Sequence, residues 1–195
     1  MTRELPIAGQ PPAERADAAR NRQKIIEVAA RMLASHGAEQ LSLDEVAREA
    51  NVGVGTVYRR FGDRAGLIYA LIDAKEREFQ TAFMTGPPPV GPGAPPAERV
   101  RAFLHALIDR KVSQRELFMM LEAGPPKGRF SGPYKLHHTH LATLLAQVRP
   151  EADARFLADA LLAPINACLI SHQQSERGMT AEAIKAGMDD LLRLL

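Results

Sequence analysis

Residues 41–61 read Leu41-Ser42-Leu43-Asp44-Glu45-Val46-Ala47-Arg48-Glu49-Ala50-Asn51-Val52-Gly53-Val54-Gly55-Thr56-Val57-Tyr58-Arg59-Arg60-Phe61. Ser42 and Glu45 form a capping box: the Ser42 hydroxyl can accept from the Glu45 amide, and the Glu45 carboxylate from the Ser42 amide. Leu41 and Val46 stand where a hydrophobic staple needs them. A short helix therefore starts at Leu43 and runs to about Ala50. Asn51-Val52-Gly53 interrupts it, because Asn tolerates the left-handed conformation and Gly adopts it freely, and a second short helix fits Val54 to Phe61. Two short helices joined by a Gly-containing turn make a helix-turn-helix, whose second member is the one that enters a major groove.

Outward from this pair the chain reads as helices throughout. Upstream, Ile25/Ile26, Ala29 and Met32/Leu33 repeat at helical spacing and stop at His36-Gly37. Downstream, Asp63 caps a longer helix carrying Leu67/Ile68, Leu71/Ile72, Phe79 and Phe83. Gly86 to Pro96 holds six prolines and three glycines, which excludes helix and central strand and marks a linker. Beyond it come helical repeats at Val100 to Val112 and Leu117 to Leu121. A third runs from Pro133 to Val148, with its apolar positions at Leu141, Leu144/Leu145 and Val148, and a fourth, from Ala152 to about Gln174, has a kink expected at Pro164. A last helix, capped at Thr180, aligns Ile184, Met188, Leu191 and Leu195. No period-2 pattern holds over four residues. The expected fold is all-α with about nine helices. A mobile N-terminal arm (1–15) precedes a helix-turn-helix domain (16–85), the Pro/Gly linker (86–96), and a second helical domain (97–195), to which the resemblance described below assigns effector binding and dimerisation.

The 195 residues are 46% hydrophobic and 25% charged, the balance of a globular protein. No apolar run reaches the roughly 18 residues of a membrane span, and the first 20 residues lack the apolar core of a signal peptide, so a cytoplasmic protein is expected. The single cysteine, Cys168, excludes an internal disulfide or a zinc finger. Its place in an apolar repeat suggests a small buried hydrophobe. The net charge of +2 does not point to nucleic acid; the placement of charge does. In Val54–Phe61, Val57 and Phe61 sit four apart toward the core. Thr56, Tyr58, Arg59 and Arg60 then occupy the open face, where they suit phosphates and base edges. Gly55 permits close approach to DNA, and Arg64 adds charge at the start of the next helix. Arg15, Arg20, Arg22 and Lys24 make the entry to the first helix basic.

The run Leu41 to Ala47, followed by Val52 to Leu67, resembles the signature of the TetR family of bacterial transcriptional regulators, over about Gln23 to Ile72. The resemblance implies a homodimer on a palindromic double-stranded DNA operator and a variable C-terminal domain that binds a small molecule and releases the DNA. It further implies that Thr56, Tyr58 and Arg60 hold phosphates, that Val54 and Arg59 lie near base edges, and that Arg64 replaces a phosphate-binding lysine. Asn51 stands for the usual turn glycine and Gly53 for the usual serine cap, which removes one phosphate donor. The DNA-facing set is thus Arg20, Arg22, Ser42, Val54, Gly55, Thr56, Tyr58, Arg59, Arg60 and Arg64.

For the effector, the apolar candidates are Phe103, Leu107, Phe118, Met120, Leu141 and Leu145, with His105, Tyr134 and His138 as orienting polar groups. Such a lining suits a hydrophobic or aromatic molecule. His137-His138-Thr139-His140 has no carboxylate or cysteine beside it in sequence, so no metal is implied, and no cofactor. No Gly-rich phosphate loop or nucleophile elbow occurs. The competing reading is an all-α enzyme or a helical module that does not bind DNA. The last two helices leave apolar area suited to a four-helix dimer interface.

Overall fold

The computed structural model describes residues 13–37, 40–122 and 132–194. Among them there are ten helices and no strand: α1 (Ala13–His36), α2 (Leu43–Glu49), α3 (Val54–Phe61), α4 (Arg64–Thr85), α5 (Pro96–Ser113), α6 (Arg115–Glu122), α7 (Gly132–Val148), α8 (Ala154–Leu162), α9 (Ala167–Ser175) and α10 (Ala181–Arg193). The N-terminal arm expected over 1–15 lies mostly outside the described residues, and α1 already begins at Ala13. The extra helix relative to the sequence reading comes from Pro164. Instead of bending one helix it ends α8, and α9 starts afresh, 44° off, with Asn166 Oδ1 accepting from the Leu169 amide at 2.8 Å.

The chain divides into two compact units, residues 1–75 and 76–195. The first buries Ile25, Ile26, Val28 and Ala29 of α1, Val46 and Ala47 of α2, Val57 of α3, and Leu67, Ile68 and Leu71 of α4. Here α2 packs on both α1 and α3. The local signals act as the sequence suggests: Ser42 is the N-cap of α2 and Asn51 takes φ 51°, turning the chain from α2 into α3.

In the second unit α5 packs against α7 and α10, α7 against α8, and α6 against α9. Its core gathers Phe79 and Phe83 of α4, Phe103, Leu104 and Leu107 of α5, Leu141 and Leu145 of α7, and Met188 of α10. Residues 86–96 belong to this unit. They form turns tied by Gly86 N to Ala82 O at 3.1 Å and Gly91 N to Pro87 O at 3.0 Å, while Val90 packs on the core. The division of the chain thus falls inside α4 and not at the prolines. Cys168 corrects the sequence reading: it is exposed, on the face of α9 opposite the buried Ala167 and Ile170.

Candidate nucleic-acid interface

Within α3, Val57 is fully buried while Val54 and Tyr58 are 44% and 46% exposed. Arg59 and Arg60 are exposed, and Thr56 and Phe61 are half-buried. No acidic residue lies between Asn51 and Gly62, so nothing on this helix cancels its two guanidiniums. Gly53 caps α3 through its backbone alone, leaving the first amides without a side-chain acceptor. A Cβ on Gly55 would meet nothing within 4 Å, so no protein neighbour requires a glycine there. That is consistent with a face kept low for something outside the chain.

The remaining DNA-facing candidates are partly engaged. Arg60 Nη1 donates to the Ala18 carbonyl, pinning the end of α3 to α1. Arg22, one turn on from Ala18, lies 3.7 Å from Asp73, and Arg20 pairs with Asp17. The Ser42 hydroxyl is spent on the α2 cap, 3.5 Å from the Glu45 amide. Arg59 forms no ion pair with any described residue, and Arg64 is exposed at the start of α4.

Sequence reasoning assigned no role to Gly66. Its amide donates to Asp63 Oδ1 at 2.8 Å, and a Cβ on it would lie 1.9 Å from the Phe61 carbonyl oxygen. Only a residue without a side chain lets the first turn of α4 approach the last carbonyls of α3 this closely. The glycine three residues after a helix cap was the available signal.

The effector candidates scatter in role. Phe103, Leu107, Leu141 and Leu145 are buried in the second core. The three polar ones already have partners. His105 Nε2 lies 2.7 Å from Asp189 Oδ1, and Tyr134 Oη donates to Asp159 Oδ1 at 2.5 Å. His138 Nε2 is 3.1 Å from the Arg155 carbonyl. Phe118 is half-buried beneath Lys111 Nζ, 3.9 Å from its ring centre. The Met120 side chain lies outside the described residues.

A different polar group occupies the interior. Glu76, 7% exposed, accepts from His137 Nε2 at 2.8 Å, from Arg110 Nη1 at 3.0 Å and from Gln80 at 2.9 Å. Burial by itself would push this carboxyl up. The hydrogen bond and charge of His137, with Gln80 and Arg110, outweigh it and hold the pKa down to about 2. One helix turn along α7, burial and the neighbouring Arg99 and His137 lower His140 to about 4, so it is neutral at pH 7. Arg99 Nε, Arg110 Nη2 and His140 Nε2 are buried without a hydrogen-bond partner among the described residues. The signal for Glu76 was its register: Ile72, Glu76, Phe79 and Phe83 share one helical face, so a carboxylate interrupts an apolar stripe.

All-helical architecture with a basic, acid-free second helix in a helix-turn-helix defines a DNA-binding regulator. Residues 25–71 match the family model for bacterial regulatory proteins of the tetR family, so the helix-turn-helix region is of the tetR type. Among curated proteins the chain is 27% identical to the HTH-type transcriptional regulator SAR2658 of Staphylococcus aureus, over 88% of this chain and 91% of that one. Among solved structures it is similar to a transcriptional regulator from Saccharomonospora viridis in complex with choline, with TM-score 0.69 and 16% identity over 90% of this chain and 96% of that one. It also resembles the fatty acid degradation regulator FadR of Bacillus halodurans, with TM-score 0.62 and 17% identity over 87% and 96% of the two chains.

Proposed function

We propose that this regulator acts in the cytoplasm as a homodimer on a palindromic operator, with one α3 in each of two major-groove half-sites roughly 34 Å apart, and that it represses until a small apolar or aromatic effector releases it. The observation that carries the DNA half is the division of α3: Val57 holds the helix to its unit while Val54, Tyr58, Arg59 and Arg60 remain outward. In this reading Tyr58, Thr56 and Arg60 position the helix on phosphates, Arg60 exchanging the Ala18 carbonyl for one. Arg59 and Val54 meet base edges, and Arg20, Arg22 and Arg64 supplement the phosphate contacts. Ser42 acts indirectly, by fixing α2.

Exposed Phe156, Leu191 and Leu194, at 67%, 45% and 83%, support a dimer through the last helices, and Met188 behind them closes the core. Of the expected seam, Leu195 lies outside the described residues. The choline complex of the Saccharomonospora regulator supports a small-molecule effector, which this reading assigns to the second unit, and no catalytic role is assigned to the chain.

The test is selection of bound duplexes from a random pool, followed by gel shifts across a salt series. Enriched duplexes should share a palindrome, and affinity should fall steeply with salt as counterions are released. Equal affinity for enriched and random DNA would end this reading. Sedimentation of the free protein as a monomer at the working concentration would end the dimer.

A further inference from the structure

Val54 opens α3 with two methyl groups that the core does not use: the residue is 44% exposed, whereas Val57, one turn on, is fully buried. An exposed β-branched residue gains little from packing and is a poorer helix former than alanine. Its neighbours leave it standing clear. Gly53 and Gly55 flank it, and all three residues are exposed. The fold requires neither glycine. Gly53 has φ −62° and ψ 133°, a conformation open to any residue, and a Cβ on it would stand 3.7 Å from Thr56 Oγ1, an ordinary contact, while a Cβ on Gly55 would meet nothing within 4 Å. The valine therefore carries the only side chain in three consecutive exposed residues, at the head of a helix that holds Arg59 and Arg60 and no acid.

The chemistry of that side chain limits what it can read. Valine neither donates nor accepts a hydrogen bond, so it gains nothing from a phosphate and cannot sort bases by their polar edges. In the major groove the apolar feature open to it is the C5-methyl group of thymine. Building on the operator reading, we propose that Val54 is a specificity-determining residue that packs on a thymine methyl, with Gly53 and Gly55 letting the backbone come close enough to the base edges for that contact. The guanidiniums of α3 supply attraction to the phosphates. Val54 adds a requirement for a C5-methylated pyrimidine at one position in each half-site.

The experiment is a gel-shift scan of the operator recovered by selection, with dU replacing dT at one position at a time, symmetrically in both half-sites. The replacement removes the methyl and keeps every hydrogen-bonding group. At roughly fourfold in affinity per buried methyl, one thymine position should lose about fifteenfold when both half-sites are changed, and thymines elsewhere should change less. Val54→Ala should bind the selected operator more weakly and no longer distinguish dT from dU at that position, with circular dichroism confirming the fold. Where dC is placed there instead, 5-methyl-dC should recover affinity for the parent and not for Val54→Ala. A selected operator in which no thymine is sensitive to dU overturns the proposal and leaves the operator reading standing. Sensitivity that persists undiminished in Val54→Ala also overturns it, because another residue then makes the contact. If no duplex is enriched, both fail together.

Discussion

Replacing Glu76 with glutamine tests whether the buried carboxylate network stabilises the second unit through its charge. Glutamine is close in shape to the protonated acid and keeps one acceptor oxygen, so the comparison isolates ionisation. A carboxyl lowered from 4.5 to about 2 contributes about 3 kcal/mol to folding at pH 7, at roughly 1.4 kcal/mol per tenfold. Because the folded pKa is the depressed one, this contribution is complete above the unfolded value and is lost as pH falls through 4.5 toward 2. At pH 3 about 1.5 kcal/mol should remain. The contribution at pH 7 already contains the pairing with the buried Arg110 guanidinium, which is one of the causes of the depressed pKa. Urea unfolding of parent and Glu76→Gln at fixed chain concentration should therefore give a gap of about 3 kcal/mol at pH 7 and 5, shrinking by about half at pH 3. A gap below about 1 kcal/mol at pH 7, or one unchanged between pH 5 and pH 3, would mean that the network does not hold its charge as argued.

Arg59→Ala should alter the preferred base at one operator position by about 1–3 kcal/mol, whereas Tyr58→Phe and Arg60→Ala should weaken all duplexes alike. A uniform loss for Arg59→Ala in gel shifts moves that residue to the phosphate class. Gly66→Ala forces a Cβ against the Phe61 carbonyl and should destabilise the chain by about 2 kcal/mol or more, with operator affinity falling further as α3 is displaced. An unchanged melting temperature would refute the close approach. Asp189→Asn breaks the two-pronged bond to Arg101, at 2.8 and 2.7 Å, and the contact with His105. The hydrogen bond to Arg101 outweighs partial burial and, helped by His105, holds the Asp189 carboxyl down to about 2. The stabilisation, about 1 kcal/mol, should be present at neutral pH and fade as pH drops from 3.8 toward 2. Equal acid unfolding curves for parent and variant would count against it.

What the sequence made legible was local. The capping box, the Asn51 turn and the alternation of Val57 with Tyr58 and Arg59 act over fewer than five residues, where side-chain chemistry and backbone conformation are directly coupled. The pairs that organise the second unit act over long separations: Glu76 with His137, 61 residues apart, and His105 with Asp189, 84 apart. No period encodes such a meeting. His105, Tyr134 and His138 are expected from the sequence to orient an effector, but the groups that engage them, Asp189, Asp159 and the Arg155 carbonyl, come from other helices. Pro164 illustrates a different failure. A proline two residues before an asparagine is a stop followed by a cap, and weighing the proline alone turned two helices into one bent one. Cys168 was assigned by the hydrophobicity of its neighbours, although its own helical angle, opposite Ile170, already directed it outward.

The proline-rich stretch at 86–96 also governs how the protein can be cut. It looks like the natural place to separate the halves, and a fragment beginning at Ala97 would be the obvious one to express. Such a fragment would lack Phe79 and Phe83, whose rings lie 5.4 and 5.2 Å from that of Phe103, and would leave His137 and Arg110 without Glu76. The stretch is also a poor site for inserting a tag: Gly91 is buried, and even one added carbon on it would lie 1.9 Å from the Gly86 carbonyl oxygen. A fragment meant to fold alone must reach back into α4, to before Glu76.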